Sequence, residues 1–354
     1  MKILLDENFV KERLYPFTQT RHTANIRIGI LTIKEKWEKI LGQSISVNTD
    51  DIFKSTAAAD EMPIPAVMSA NIVPSKEWIE RLLKAGSVQN IFENDAAVKI
   101  LKYPWDIYYY NDWALRNDFE LITAGKKSAA ISATNKITNR AKIFIEDGAK
   151  VEHSFLNAET GPIYIGKNAE VMEGCMIRGP FALCEGAKLK MGTKIYGATT
   201  IGPYCVAAGE IKNSIMFGYS NKAHDGYLGD SVIGEWCNLG AGTTNSNVKN
   251  TASAVKVWLQ AENKFENAGN KCGLLMGDYS RSAINTSFNT GTVVGVCCNV
   301  FGDGFPLKHI PDFSWGNETY KLTKVFTDID NWKRLKGKNI TDDEKKILTD
   351  IYPK

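Results

Sequence analysis

An aliphatic residue recurs at every sixth position through the middle of the chain. The residue four places after each of these positions is small in six of seven cases, with Phe181 as the exception. A period of six fits neither a helix nor an alternating strand. It is typical of the hexapeptide repeat of a parallel β-helix, in which three short strands make one coil and coils stack about 4.8 Å apart. The aliphatic positions are Ile165, Val171, Ile177, Leu183, Leu189, Ile195 and Ile201.

The repeat extends beyond these seven positions, with two interruptions. Ile137, Ile143 and Ala149 are already six apart, so we expect the first coil near Ile137. The pattern fails over residues 206–227 and again over 248–273, then resumes up to residue 300. Departures from a strict repeat are where function is expected. We therefore expect the first interruption to be a loop that leaves the coil and carries functional residues.

The residues before the repeat predict a small α/β domain. A strand is expected at Lys2–Leu5, and the sequence of a capping box precedes a helix expected over Ile33–Leu41. A second strand near 66–72 and a second helix over 76–85 follow. Strands that alternate with helices are typical of an α/β domain.

The residues after the repeat predict a cap and two helices. Residues 309–316 are expected to cover the open end of the solenoid, because exposed strand edges need a cap. An amphipathic pattern predicts a helix over 320–335, and a second capping box, Thr341 with Glu344, predicts one over 342–351. The fold class is thus mainly β. We divide the chain into a reduced α/β domain with a connector helix at 1–118, a β-helix domain at 119–305, and a cap with helices at 306–354.

Composition narrows the class of protein. Of the 354 residues, 23% are charged and 44% hydrophobic, and the net charge of +3 is too small to indicate nucleic acid or a membrane surface as a partner. The N-terminal apolar run is broken by acids after three residues, which does not fit a signal peptide, so we expect a cytoplasmic protein. The seven cysteines are odd in number and lack a Cys-x-x-Cys pair, so we expect neither disulfides nor a metal site.

The centre of the repeat resembles a known family. The run Glu210-Ile-Lys-Asn, the run Lys222-Ala-His-Asp-Gly-Tyr-Leu-Gly-Asp, and the run from Ile233 to Thr244 resemble the acetyltransferase half of the bifunctional GlmU family. The resemblance covers about Ile163 to Gly302. It implies a left-handed coil, a homotrimer, and acetylation of glucosamine-1-phosphate from acetyl-CoA, on the way to UDP-N-acetylglucosamine.

The resemblance also implies roles for individual residues. It places the catalytic base at His224 and an acetyl-CoA contact at Ala241. Lys212 falls on the family's sugar-phosphate lysine. Lys190 stands where the family has arginine, and lysine keeps the charge but lacks the bidentate fork of the guanidinium. The remaining sugar-binding positions are Tyr227, Asn238 and Asn247.

Residue chemistry favours the same base. Acetyl transfer to an amine needs a group that accepts a proton near neutral pH, and the ordinary pKa of histidine, about 6.5, suits that task. Of the four histidines, His22 lies in the N-terminal region, His153 before the clean repeat and His309 in the cap, whereas His224 lies in the resembling motif. A β-helix carbonic anhydrase is the rival class of enzyme. It requires three histidines on zinc, and the coils hold at most two.

The N-terminal domain resembles a second family. Arg13-Leu-Tyr-Pro-Phe-Thr is similar to the start of sugar nucleotidyltransferase domains, and Pro104-Trp-Asp resembles the connector of archaeal-type members. The family's glycine-rich loop is replaced here by residues 7–12, where side chains obstruct a phosphate and acids repel it. We therefore expect a shortened, degenerate domain. A bifunctional enzyme with uridylyl transfer and Mg²⁺ remains one alternative, and a non-catalytic trimeric scaffold is the other.

Overall fold

The repeat forms a solenoid because its aliphatic positions all point into one narrow interior. The computed structural model describes residues 3–48, 66–85 and 95–353. Within them, the middle of the chain winds into a parallel β-solenoid of about ten turns. Ile165, Val171 and Ile177 are each at most 2% exposed, and they belong to a single core that runs along the solenoid axis. The fold class is confirmed, and the left hand of the coil stays a prediction from the resemblance.

The solenoid has three faces, and the first one contacts the N-terminal domain. We call it the domain face. Its nine strands are all parallel, as the repeat requires. They are Ile143–Ile145, Ile163–Ile165, Phe181–Leu183, Thr199–Ile201, Ile215–Met216, Val232–Ile233, Leu274–Met276, Thr292–Val294 and His309–Ile310.

The second face contacts the C-terminal helices, and we call it the helix face. Nine of its ten strands are parallel, and the last one turns back antiparallel at Glu318–Thr319, which ends the solenoid. Residues 309–310 and 314–315 of the expected cap form the last parallel strands, and the solenoid ends at this reversal. The parallel strands are Lys150–Val151, Glu170–Val171, Lys188–Leu189, Val206–Ala207, Asn221–Lys222, Asn238–Leu239, Arg281–Ser282, Asn299–Val300 and Ser314–Trp315.

The third face carries no other described element over its first coils, and we call it the open face. It begins at Lys136, which confirms the expected start of the coil near Ile137. Its last two strands form a separate parallel pair. The strands are Lys136–Thr138, Phe155–Asn157, Met176–Arg178, Lys194–Tyr196, Glu210–Lys212, Tyr227–Gly229, Thr244–Asn245 and Ser287–Phe288.

The first interruption of the repeat is not a loop that leaves the coil, so that expectation was wrong. Residues 206–227 stay in the solenoid as regular strands with short corners. Lys188 pairs with Val206 eighteen residues on, whereas Val206 pairs with Asn221 after fifteen and Asn221 with Asn238 after seventeen. Shorter corners shift the phase of the sixfold repeat while the coil continues.

The second interruption is a true insertion. Strands Lys256–Leu259 and Lys264–Asn267 form an antiparallel hairpin that extends from the solenoid. A 3₁₀ turn, Gln260–Glu262, lies at its tip. Val255 and Val257 are fully buried in the same apolar core as the N-terminal domain. The hairpin therefore helps to hold that domain on the domain face.

The N-terminal domain is built on a small parallel sheet. Strand Ile3–Asp6 lies between Ser46–Val47 and Ala66–Ser69, and helix α1 (Ile33–Leu41) packs beside it. The capping box of α1 forms with both of its hydrogen bonds, and Gly42 ends the helix in the left-handed region. Helix α2 (Lys76–Ala85) confirms the second predicted helix.

The other strands are Arg27–Ile28, Leu31–Thr32, Ile72–Pro74 and Val98–Ile100, and the remaining 3₁₀ turns are Glu12–Leu14, Thr23–Asn25 and Arg140–Lys142. Lys2, which the strand prediction included, lies outside the described residues.

Two helices join this domain to the solenoid. Short α3 (Asp106–Tyr109) leads into α4 (Asn111–Thr123), and Trp105 before them is buried and stacks on Tyr103. The expected boundary after residue 118 falls inside α4. The helix is continuous across it. Solenoid strands likewise continue to Trp315, past the expected boundary at 305.

The C-terminal helices confirm both helix predictions for this part of the chain. Helix α5 (Leu322–Arg334) buries Val325 and Ile329 against the helix face. Helix α6 (Asp342–Asp350) begins with a complete capping box. Lys333 of α5 lies over the ring of Trp236, 5.1 Å from its centroid. The helix face is therefore covered along its later coils.

Candidate functional site

His224 lies at a corner of the solenoid. Residues 223–226 connect a helix-face strand to the open-face strand that begins at Tyr227. The ammonium of the buried Lys222 donates hydrogen bonds to the carbonyls of Ala208 (3.1 Å) and His224 (2.9 Å). Burial lowers the pKa of Lys222 to about 8. The backbone of His224 is thus tied to the preceding coil, while its side chain is exposed in the single chain.

Gly226 completes this corner. Its φ of +126° lies in the region that favours glycine, and a Cβ there would be 2.1 Å from the carbonyl oxygen of Thr243 in the next coil. No other residue type fits this approach. The motif around His224 therefore includes a residue needed for close packing of the coils.

Three predicted site residues lie along one edge of the solenoid, where the helix face meets the open face. Lys190, His224 and Ala241 each follow a helix-face strand and precede an open-face strand. Ala241 is one coil after His224, and Lys190 is two coils before it. With coils about 4.8 Å apart, His224 lies between Lys190 and Ala241 along this edge.

Two further predicted residues meet on the open face. The side-chain amide of Asn247 donates a hydrogen bond to the Tyr227 hydroxyl (3.1 Å) and another to the carboxylate of Asp230. Asn213 donates to the same carboxylate (2.6 Å). Burial raises the pKa of Tyr227 to about 12, so its hydroxyl stays protonated at neutral pH. Exposed Lys212 lies on the neighbouring strand, where it pairs with Gly229.

Asn238 is separated from these residues. It lies on the helix face, between Asn221 and Arg281 of the adjacent strands. The structure thus brings Tyr227 and Asn247 together, places Lys190, His224 and Ala241 on one edge, and leaves Asn238 on a third surface. Within one chain these groups do not form a single closed site.

Sequence reasoning missed Lys222, Asp230 and Asn213. Lys222 and Asp230 are the first and last residues of the motif that contains His224, so their position was a usable signal. Asn213 gave no comparable signal, because its role depends on the stacking of two coils. It has φ of +46°, in the left-handed region that asparagine tolerates at corners.

In the N-terminal domain, the residues at the position of the phosphate loop form hydrogen bonds with other groups of the domain. The backbone N–H groups of Val10 and Lys11 both donate to the carbonyl of Glu7. The carboxylate of Glu7 accepts from the N–H and the hydroxyl of Thr23. These N–H groups are therefore engaged within the turn and do not face a ligand.

Arg13 is also engaged. Its guanidinium forms a salt bridge with Glu262 of the inserted hairpin (3.1 Å) and lies over the ring of Tyr103. The rest of the segment docks on the solenoid. Tyr15 and Gln19 donate hydrogen bonds to Asp312, each at 3.0 Å. The motif that resembles a nucleotide-binding segment thus forms an interface between the domain and the solenoid.

Parts of this chain are similar in sequence to known proteins. The sequence model of the sugar nucleotidyl transferase family matches residues 2–99. A bifunctional sugar-1-phosphate nucleotidylyltransferase/acetyltransferase of Sulfurisphaera tokodaii is 28% identical over 227 residues, which cover 60% of this chain and 49% of the relative. The bifunctional protein GlmU of Methanococcus maripaludis is 29% identical over 236 residues, 64% of this chain and 50% of the relative. The bifunctional protein GlmU of Methanocaldococcus jannaschii is 37% identical over 89 residues, which cover 25% of this chain and 21% of the relative.

These similarities support a transferase. In sequence the chain is GlmU-like, as the N-terminal family match and these relatives together indicate. It spans half or less of the length of these relatives. Of the helices described, none combines the length and the apolar character that a membrane crossing requires.

Proposed function

We propose that the chain is an N-acetyltransferase that transfers an acetyl group from acetyl-CoA to the amine of a hexosamine phosphate, with glucosamine-1-phosphate as the substrate. The observation that carries this proposal is the corner of His224. Its backbone is fixed by the buried Lys222, its imidazole is accessible, and it lies one coil from Ala241. The name of the Sulfurisphaera tokodaii relative adds support, since it joins a sugar-1-phosphate nucleotidylyltransferase with an acetyltransferase.

In the proposed reaction His224 acts as the general base. The imidazole accepts the proton that the neutral substrate amine loses as its nitrogen attacks the thioester carbonyl. A carbon–nitrogen bond forms, the carbon–sulfur bond breaks, and the CoA thiolate leaves and is protonated. Lys212 and Lys190 supply positive charge for the phosphate. Tyr227, Asn238 and Asn247 orient the sugar, and backbone near Ala241 receives acetyl-CoA.

A homotrimer is part of this proposal. The predicted site residues lie on separate edges of one chain, so a neighbouring subunit would bring them together in a groove. The open face offers apolar surface for such contact, since Phe155 and Tyr196 are 53% and 45% exposed. They line a groove of about 540 Å³ on that face.

The seven cysteines are all free and buried, which fits the reducing cytoplasm that the sequence predicts.

The direct test is product formation from acetyl-CoA and glucosamine-1-phosphate, followed by mass spectrometry. The proposal predicts an acetylated sugar phosphate, and much slower turnover with glucosamine, which lacks the phosphate that the lysines bind. A calorimetric titration with acetyl-CoA separates the scaffold alternative. No saturable heat and no product with either acceptor would contradict the proposal and favour a scaffold.

Uridylyl transfer is the second candidate, favoured by the family match over residues 2–99. The described residues do not fit it well. The turn at Glu7 uses its own N–H groups, Arg13 is paired with Glu262, and no described cluster of carboxylates, histidines or cysteines is suited to Mg²⁺. We therefore expect the whole chain to release no pyrophosphate from UTP and N-acetylglucosamine-1-phosphate with Mg²⁺. Pyrophosphate release at a catalytic rate would restore this candidate.

A further inference from the structure

A second cavity lies between the helix face and helix α5. Its volume is about 400 Å³. Asn238, Arg281 and Asn299 line its floor on three successive coils, in register with one another. Trp332 and Asp328 of α5 line its roof. No part of the site described above, apart from Asn238, enters this cavity.

Arg281 is an unusual residue for the wall of a solenoid. It is only 8% exposed, yet its Nε and Nη2 are buried and have no hydrogen-bond partner in the part of the chain that the structure describes. Burial without a partner costs free energy and lowers the pKa of Arg281 below its ordinary value. Its stabilising contact is with the ring of Trp332, whose centroid is 5.2 Å away.

Neighbouring groups compensate this charge only in part, because Tyr320 and Asp328 raise the pKa of Arg281 by less than burial lowers it. Asp328 is the carboxylate in the cavity, but it accepts a hydrogen bond from the Tyr320 hydroxyl and forms no salt bridge with Arg281. The side-chain nitrogen of Asn299 is also buried and makes no hydrogen bond of regular geometry within the described chain. Asn299 also interacts with the Tyr320 hydroxyl. This contact partly offsets the rise that burial causes in the pKa of Tyr320. Three donor nitrogens at the cavity, Nε and Nη2 of Arg281 and Nδ2 of Asn299, are thus buried without a regular hydrogen bond in the described chain.

The two free nitrogens of Arg281 lie on the same edge of the guanidinium. Nε–H and Nη2–H are parallel donors, and together they match two oxygens of a phosphate or carboxylate. We propose that Arg281 and Asn299 form a binding site for a phosphate group beneath α5. Trp332 packs against the guanidinium, and no carboxylate of the described chain is hydrogen-bonded to its fork. The proposal does not depend on the acetyltransferase proposal, since neither Arg281 nor Asn299 has a role in that reaction, although Asn238 lines the same cavity.

The test is a calorimetric titration of the whole chain with inorganic phosphate at constant ionic strength. We expect saturable binding that the substitution Arg281→Lys weakens at least about tenfold, because lysine keeps the charge but loses the fork. Arg281→Met should remove saturable binding. Lys324→Met is the matched control. Lys324 also lies on α5, stacks on Trp315 (3.8 Å) and is exposed outside the cavity, so its loss should leave phosphate binding unchanged.

A melting curve with and without phosphate gives a second measurement for each variant. Phosphate should raise the melting temperature of the parent chain and of Lys324→Met, but not that of Arg281→Met. Competition by glucosamine-1-phosphate or by coenzyme A would support the site and identify which molecule carries the phosphate. If neither competes, free phosphate is the ligand. Equal phosphate affinity in the parent chain and Arg281→Met, or no saturable binding in the parent chain, would overturn the proposal.

Discussion

At the scale of single residues, Lys222 links the solenoid core to the candidate site. An ammonium is rarely buried without a carboxylate, and here two backbone carbonyls accept its hydrogen bonds instead. One of them belongs to His224. The sequence could identify His224, because the motif around it resembles a family, but it could not reveal Lys222 as its support. That contact depends on how deep a side chain lies inside the coil.

Replacement of Lys222 by methionine should lower the kcat of acetyl transfer by roughly tenfold to a hundredfold, because small displacements of a catalytic group are costly. The KM values should change little, since Lys222 contacts neither proposed substrate. Steady-state kinetics measure both. Lys188→Met is the control, because Lys188 is exposed on the same face and pairs with Glu170. A similar kcat in both variants would show that Lys222 does not position His224.

At the scale of elements, the sixfold repeat predicts most of the solenoid, because each hexad supplies one inward aliphatic position and one tight corner. Two capping boxes likewise predict the starts of α1 and α6 correctly. The repeat could not predict corners of unequal length. Coils of fifteen and seventeen residues shift its phase without leaving the solenoid, so the region around His224 looked like a loop.

Gly226 offers a test of that corner. Alanine there would require an unfavourable φ and a contact of 2.1 Å with the Thr243 carbonyl, so we expect a loss of stability above about 2 kcal/mol and a loss of acetyl transfer. Gly192→Ala is the control. Gly192 also has positive φ, but nothing lies within 4 Å of an added Cβ, so its cost should be only about 1 kcal/mol. Urea unfolding measures both. Equal losses would contradict the close approach of these coils.

At the scale of the whole molecule, the N-terminal domain and the solenoid share one apolar core. Phe17 packs against Phe217 of the domain face, with ring centroids 5.4 Å apart. Buried Arg21 forms salt bridges with Asp278 and Glu235 of solenoid corners. This interface could not be predicted from the sequence, since the segment resembles a nucleotide-binding motif and its partners lie more than two hundred residues away.

Replacement of Asp278 by alanine should destabilise the chain by about 3–5 kcal/mol, because it leaves the Arg21 guanidinium buried without its main partner. Asp278 is 2% exposed. Glu235→Ala removes the outer salt bridge, in which the glutamate side chain is 37% exposed, and should cost about 1 kcal/mol or less. Equilibrium unfolding in urea compares them. We expect one cooperative transition in both, and separate transitions for the two domains would contradict a shared core.

The most direct measurement of the proposed function is the rate of acetyl transfer in the variant His224→Ala. We expect a loss of at least about a hundredfold with an unchanged circular dichroism spectrum and oligomeric state, because the general base is removed while the corner keeps Lys222 and Gly226. His153→Ala is the control. His153 is exposed at a corner on the same edge of the solenoid, four coils earlier, and should leave the rate unchanged. Turnover of His224→Ala at the wild-type rate would contradict the role of His224 as the base.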